Sequence, residues 1–276
     1  MRRLLFVIVC AALASVCRTP EPPASSPVPD LDPRITTLLG SISEERLEAM
    51  LQKLVSFETR HLASDPSPAG QGIGAAREWM LQELTSFSPK LQVSFDTYRI
   101  PPQGGRILRD VELRNVMAVL PGRSPRRIYV SGHYDSLARL VNPPASAGPP
   151  GPAGMHWNVP DSPAPGADDD GSGTVLTMEL ARVFAESGLE FDATLVFICW
   201  AGEEQGLIGS AAHAQNLVAA KATVEALFNN DIVGNSHGGN GVVDAESVRV
   251  YAVGPEDSTP QLPLCRPCQP FAMCAP

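Results

Sequence analysis

Positive charge is scarce in this 276-residue chain: 21 lysines and arginines stand against 30 aspartates and glutamates, a formal net charge of −9. No basic stripe interrupts the deficit, which argues against nucleic acid as a partner. A membrane-spanning run is missing too. The apolar stretch Leu4 to Val16 falls short of the roughly 20 residues that cross a bilayer as a helix. No cysteine sits beside a histidine, so that signature of nucleophilic catalysis is absent. Phosphate-cradling glycine patterns are absent as well, because Gly70-x-Gly72-x-Gly74 has the wrong spacing and follows a loop. The cysteines form no framework. Cys10 and Cys17 belong to the N-terminal segment, Cys199 reads as a buried thiol in an apolar strand, and Cys265-x-x-Cys268 is half a zinc site with no second half.

What remains is a globular composition, 43% hydrophobic and 18% charged, in a chain long enough for one sizeable domain with appendages. Arg2 and Arg3 before the apolar run give residues 1–17 the pattern of an export signal. Cys17 at its end adds the alternative of a lipoprotein signal, and with it the only expected membrane contact, a lipid anchor. Residues 18–40 read as a Pro-rich linker, 41–254 as the folded domain and 255–276 as an irregular Cys- and Pro-rich tail. The expected location is therefore outside the cytoplasm: periplasmic, extracellular or lipid-anchored.

Within the domain, Ser41 and Glu44 have capping-box spacing before a helix whose apolar face carries Leu47, Met50, Leu51, Leu54 and Val55. A second helix is expected over about 71–87, and an antiparallel strand pair over 91–100 and 111–120. A short strand over 127–131 runs into Gly132-His133-Tyr134-Asp135. The Pro- and Gly-rich stretch 137–166 is too long for an ordinary connection and is either disordered or functional. A helix from Gly171, a strand over 193–200, a helix over about 208–219 and a strand from 224 to Asn229-Asn230-Asp231 complete the series. This alternation predicts an α/β fold with a mostly parallel central sheet flanked by helices, in which ligands sit beyond the carboxyl ends of the strands.

The chemistry-bearing residues fall at those ends. Ala164 to Gly173 reads A-P-G-A-D-D-D-G-S-G, and Leu176, Leu180, Val183 and Phe184 behind it mark a helix whose dipole favours the carboxylates. His133 and Asp135 share one face of a strand, where a carboxylate can fix a ligand imidazole. Glu203 and Glu204 point apart in extended backbone, so one can face a metal while the other reaches a water. Each motif alone has an ordinary explanation: capping, a core histidine, or glutamates opening a loop. Taken together they supply one imidazole and several carboxylates, a set that suits zinc in a hydrolytic site.

G-H-Y-D-S, A-P-G-A-D-D-D-G-S-G, A-G-E-E-Q-G-L-x-G-S and N-D, in this order, resemble metallopeptidase family 28, whose type members are secreted bacterial leucyl aminopeptidases. The similarity covers about residues 58–253. It implies a two-zinc exopeptidase fold acting on peptide or protein N-termini. Asp169 would bridge two Zn²⁺, His133 and Asp231 would complete one site, and Glu204 would serve the other. Glu203 would be the general base, Asp135 the partner of His133, and Asp169–Asp170 a cis peptide. The family's last ligand is a histidine well downstream, whereas the last histidine here is His237. The second zinc site, and with it activity, is therefore expected to be impaired and the domain incomplete. Two rivals share the fold. One is a non-catalytic binding protein, disfavoured by the retained His133, Asp169, Glu203, Glu204 and Asp231. The other is a glutaminyl cyclase or carboxypeptidase relative, which for a substrate carboxylate would need a placed arginine that the sequence alone does not reveal.

Overall fold

β-branched and aromatic residues build the sheet on which everything else rests. The computed structural model describes residues 31–67, 69–151, 154–238, 241–248 and 250. The leader with Cys17, most of the linker, and the tail with Cys265, Cys268 and Cys274 lie outside the described residues. In chain order the elements are α1 (Pro33–Leu39), α2 (Glu44–Val55), α3 (Gly72–Phe87), β1 (Gln92–Ile100), β2 (Val111–Leu120), β3 (Ser124–His133), β4 (Ala138–Arg139), β5 (Met155–His156), α4 (Gly173–Glu186), β6 (Ala193–Trp200), α5 (Ile208–Ala219) and β7 (Val224–Asn229).

Five strands form one sheet in the order β1-β2-β6-β3-β7. β1 pairs with β2, and β2 with β6, antiparallel; β3 pairs parallel with both β6 and β7. The sheet is thus mixed, with its parallel pairings in the half that carries the motifs. β6 is apolar throughout because both of its faces are covered. Leu195, Phe197 and Cys199 face one cluster with Met80, Leu84 and Met178, while Val196, Ile198 and Trp200 face another with Tyr129 and, at its margin, Leu217 of α5. Full burial of a side chain such as Phe197 contributes about 1.5–3 kcal/mol. α4 packs on β3 and β6, α3 on β1 and β2, and α2 on α4. Among the described residues no helix is long and apolar enough to cross a membrane.

Three local expectations give way to the structure, and a fourth, for residues 137–166, is narrowed. Helix α1 occupies the end of the stretch read as a linker, with Pro33 in its first turn and the Asp32 carboxylate accepting from the Arg34 N–H. The cap of α2 is Ser43, whose hydroxyl accepts from the Arg46 N–H, because Ser41 instead donates to the Thr37 carbonyl and closes α1. The most buried side of α4 is Val175, Met178, Ala181 and Ala185; of the expected face Val183 is buried while Leu176, Leu180 and Phe184 are half-buried, since α4 is covered by the sheet and by two helices at once. Residues 137–166 carry the β4–β5 pair, a 3-10 turn at Ala145–Ala147 and a small cluster of Ala138, Ala147, Val159 and Ala164.

One buried charge ties α2 to α4. The Glu179 carboxylate accepts from the Ser43 N–H (3.0 Å), Arg46 Nε (3.3 Å) and Arg182 Nε (3.0 Å) and Nη2 (2.5 Å). Burial opposes its charge, but the bonds from Arg182, Ser43 and Arg46 outweigh it and hold the carboxyl below its ordinary value of 4.5. A carboxyl lowered by folding stabilises the fold above its unfolded pKa and loses that contribution as pH falls through the folded one. Breaking a buried ion pair costs about 3–5 kcal/mol; with Arg46 and Arg182 partly solvated, Glu179→Gln is expected to cost about 2–3 kcal/mol at pH 7. Urea unfolding of both proteins at pH 7 and at about pH 3 checks this. A deficit under about 0.5 kcal/mol at pH 7, or one that does not shrink in acid, contradicts it.

Candidate metal centre

Three parallel strands end side by side, and each delivers a polar group there. β3 ends in His133, β6 leads into Glu203-Glu204, and β7 into Asn230-Asp231. The aspartate run arrives from behind, in a π-type turn over Ala167–Ser172 just ahead of α4 and not in the helix itself. The start of α4 comes unusually close to the end of β3. A Cβ on Gly132 would strike the backbone of Gly173 and Thr174. That closeness lets the Thr174 hydroxyl donate to the His133 carbonyl at 2.8 Å.

His133 is the centre of the arrangement, with a side chain 3% exposed. Its Nε2 lies 3.2 Å from Asp169 Oδ1, 3.8 Å from Glu203 Oε2 and 3.9 Å from Asp231 Oδ1. Nδ1 faces the Asp135 carbonyl at 3.2 Å, while the Asp135 carboxylate stands off at 3.7 Å. The residue expected beside the imidazole is there, but it is the carbonyl that meets Nδ1. The carboxylate is used elsewhere: it accepts from the backbone N–H of Glu203 (3.1 Å) and of Glu204 (3.2 Å). Those glutamates sit in a turn closed by Gly206 and Leu207 N–H on the Glu203 carbonyl, not in the extended backbone expected for them.

Asp169 and Asp170 divide the work of one dipeptide, whose peptide bond is cis as the resemblance implies. The Asp169 side chain is 45% exposed and faces the imidazole. Asp170 is fully buried, and its carboxylate accepts from the N–H of His133 (2.9 Å), Gly173 (2.8 Å) and Ile232 (3.3 Å). Asp170, like His133 and Asp231, offers an oxygen in a group of ligand atoms within 4.8 Å of one another. Its backbone bonds nonetheless make it a brace joining β3, α4 and the segment after β7, and leave Asp169 the freer carboxylate.

Arg60 is the residue that sequence reading missed. Fully buried, it donates from Nε to the Tyr134 carbonyl (2.5 Å), from Nη1 to Pro165 (2.5 Å) and from Nη2 to Gly166 (2.8 Å). It thereby clamps the His133–Asp135 loop to the approach of Asp169. Burial lowers its pKa to about 10 against the pull of Asp135, Asp170 and Asp169, so it stays charged at neutral pH.

The carboxyls crowd one another. Burial, and next to it the charge of Asp169, raises Glu204 to about 8; burial raises Asp170 to about 7 and lifts Glu203 and Asp231 as well. For His133, burial opposes protonation, but Asp169, Asp135, Asp170 and Glu203 outweigh it and hold the imidazole up to about 10. Six carboxyls around His133 outnumber the cationic groups beside them, His133 and Arg60. One imidazole among oxygen donors is a set that fits zinc, and a dication would supply the missing charge.

The sequence model of Peptidase family M28 matches residues 115–258. A probable zinc metalloprotease of Pyricularia oryzae is 40% identical over 256 residues, covering 88% of this chain and 47% of that protein. A probable leucine aminopeptidase of Arthroderma otae is 28% identical over 204 residues, covering 72% and 48%. The chain spans about half the length of the relatives it matches. Among solved structures, the LapA aminopeptidase of Legionella pneumophila superposes with a TM-score of 0.54 at 20% identity, covering 75% of this chain and 48% of that one. A glutaminyl cyclase of Porphyromonas gingivalis gives 0.50 at 22% identity, covering 71% and 62%. At these identities the structural likeness establishes the fold alone.

The split between the two aspartates is testable. Asp169→Ala is expected to leave the melting temperature of the metal-free chain nearly unchanged while removing most of the zinc retained after dialysis. Asp170→Ala strands buried N–H donors, each costing about 1–3 kcal/mol, and is expected to lower the melting temperature of the metal-free chain sharply. Equal zinc loss with equal stability in the two variants contradicts this division.

Proposed function

Because the chain belongs to Peptidase family M28, we propose that it is a zinc-dependent, aminopeptidase-type hydrolase that removes residues from free peptide N-termini. The observation that carries this reading is the meeting of His133 Nε2 with the carboxylates of Asp169, Glu203 and Asp231 beyond the ends of parallel strands. In this reading His133, Asp169 and Asp231 would hold one zinc, and Glu204 would serve a second together with Asp169. Zinc, when bound, supplies Lewis acidity and lowers the pKa of water beside it.

The chain's own residues do the rest. Glu203, 30% exposed and pinned through its backbone by Asp135, takes a proton from the attacking water and passes it to the leaving amine. Asp135 positions both partners at once, the imidazole through its carbonyl and the glutamate pair through its carboxylate. The half-exposed carboxylates of Asp169 and Asp231 give the substrate's α-ammonium group an anionic seat. The second zinc position is the weaker. Of the five histidines, His61 is engaged by Trp157 and Ala63, His213 by Tyr129 and Asp96, His156 lies in the β4–β5 pair, and His237 is exposed beyond β7. Glu204 and the shared Asp169 alone fall short of the three protein ligands usual for a catalytic zinc. Export belongs to the same proposal and rests on the leader pattern of residues 1–17.

The test compares the wild-type chain with Glu203→Gln. Metal analysis is expected to read close to one firmly held zinc per chain in both. Leucine p-nitroanilide turnover, already weak in the wild type, is expected to fall by about 10²–10⁴-fold in the variant. Loss of zinc with Glu203→Gln and its retention with Glu204→Gln would reverse the two roles. Two tightly held zincs would show that a residue discounted above, His156 or His237, completes the second position.

A further inference from the structure

The loop between β1 and β2 meets the 137–166 stretch beside the glutamate turn, and a cavity of about 210 Å³ opens there. His61, Arg106, Ile107, Arg109, Trp157 and Asn158 line it. Its walls are tied together. His61 Nε2–H donates to the Trp157 carbonyl at 2.6 Å, and its Nδ1 accepts from the Ala63 N–H at 3.0 Å. Asn158 donates to the Gly105 carbonyl at 3.0 Å, and Arg109 donates to the Ala63 carbonyl. Burial, aided by the charge of Arg109, keeps the His61 pKa low, so the positive charge of the cavity belongs to the two arginines.

Arg106 carries the link to the metal centre. Its guanidinium lies 4.9 Å from the centre of the Trp157 ring and donates from Nη1 to the Gln205 carbonyl at 3.1 Å. Gln205 directly follows Glu203-Glu204, so this cation stands one residue along the chain from the acidic pair. Gly206, at φ +116°, leaves open the space that a side chain would take from Arg106. Gln205 itself is buried with both amide atoms lacking a partner among the described residues. Neither Arg106 nor Arg109 has a carboxylate within 4.0 Å among the described residues, in a chain whose net charge is −9. A planar guanidinium beside an indole face, with a second arginine lining the same cavity, suits a carboxylate, which a guanidinium can grip with paired hydrogen bonds. An acidic centre with an unpaired cationic cavity at its edge sorts the two charged ends of a short peptide.

We infer that this cavity is a carboxylate subsite through which the chain, acting as the proposed aminopeptidase, favours substrates bearing an anionic group beyond the scissile bond. The group is either the C-terminal carboxylate of a short peptide or an acidic side chain. Two arms test this on the whole chain. In the kinetic arm, Leu-Gly-Gly, its C-terminal amide and Leu-Gly-Glu amide are compared within each protein. The wild type is expected to show a KM about three- to tenfold lower for the free acid than for the amide, and R106Q/R109Q is expected to erase that ratio, whereas R106K/R109K keeps part of it. A low KM for Leu-Gly-Glu amide assigns the cavity to acidic side chains, and a high one to the C-terminal carboxylate. In the binding arm, tryptophan fluorescence follows N-acetyl-Gly-Gly and its amide on metal-free protein, where the blocked amine removes any need for zinc. Tighter binding of the acid, lost in R106Q/R109Q, supports the subsite even if leucine p-nitroanilide is not cleaved and the peptidase reading fails. Equal binding of acid and amide, or a preference that survives in R106Q/R109Q, overturns the inference.

Discussion

Negative charge concentrated around one imidazole is the constraint that the rest of the structure answers. Asp135, Asp169, Asp170, Glu203, Glu204 and Asp231 gather about His133, and burial together with mutual repulsion pushes most of their carboxyls toward the neutral form. A fold tolerates this only with compensation. Part comes from Arg60, buried and charged; part comes from backbone N–H groups turned onto Asp135 and Asp170. The carboxylates left most exposed, Asp169 and Asp231, are those that a cation can reach.

The topology makes such crowding practicable. Parallel pairing of β6, β3 and β7 brings three strand ends to one edge, and α4 begins against that edge because Gly132 and Gly173 have no side chains to hold it off. Asp135 joins the end of β3 to the glutamate turn after β6. Asp170 joins it to α4 and to the segment after β7, and Arg60 joins it to the residues ahead of the aspartate run. Each tie is a buried polar group whose loss leaves donors or acceptors unmet, so position and stability are coupled at the site.

Much of this was legible in the sequence where the signal is local. The run A-T-L-V-F-I-C-W reads as a strand covered on both faces, and β6 is one. His133, Asp135, Glu203, Glu204 and Asp231 stand out because each closes or follows a periodic segment, whereas only the family resemblance singles Asp169 out of its run; the structure brings all six together. Long-range choices were not legible. Three of the four carbonyl partners of Arg60 lie 74 to 106 residues away, and nothing around F-E-T-R-H marks the arginine as buried. Three adjacent aspartates look alike until the backbone assigns Asp170 to N–H donors and Asp169 to the imidazole. Ser41 and Ser43 compete for one cap, and only the arrival of α1 decides between them. The arginine that a substrate carboxylate would need, invisible by spacing, came into view once the 101–110 loop folded against Trp157.

The donor set of this acidic cluster fits a metal ion. Anomalous diffraction at the zinc edge, from crystals of the chain grown with zinc, tests it most directly. A strong anomalous peak is expected within bonding distance of His133 Nε2 and of the carboxylates of Asp169 and Asp231. No peak at the cluster, or a peak only on surface carboxylates away from His133, would contradict it.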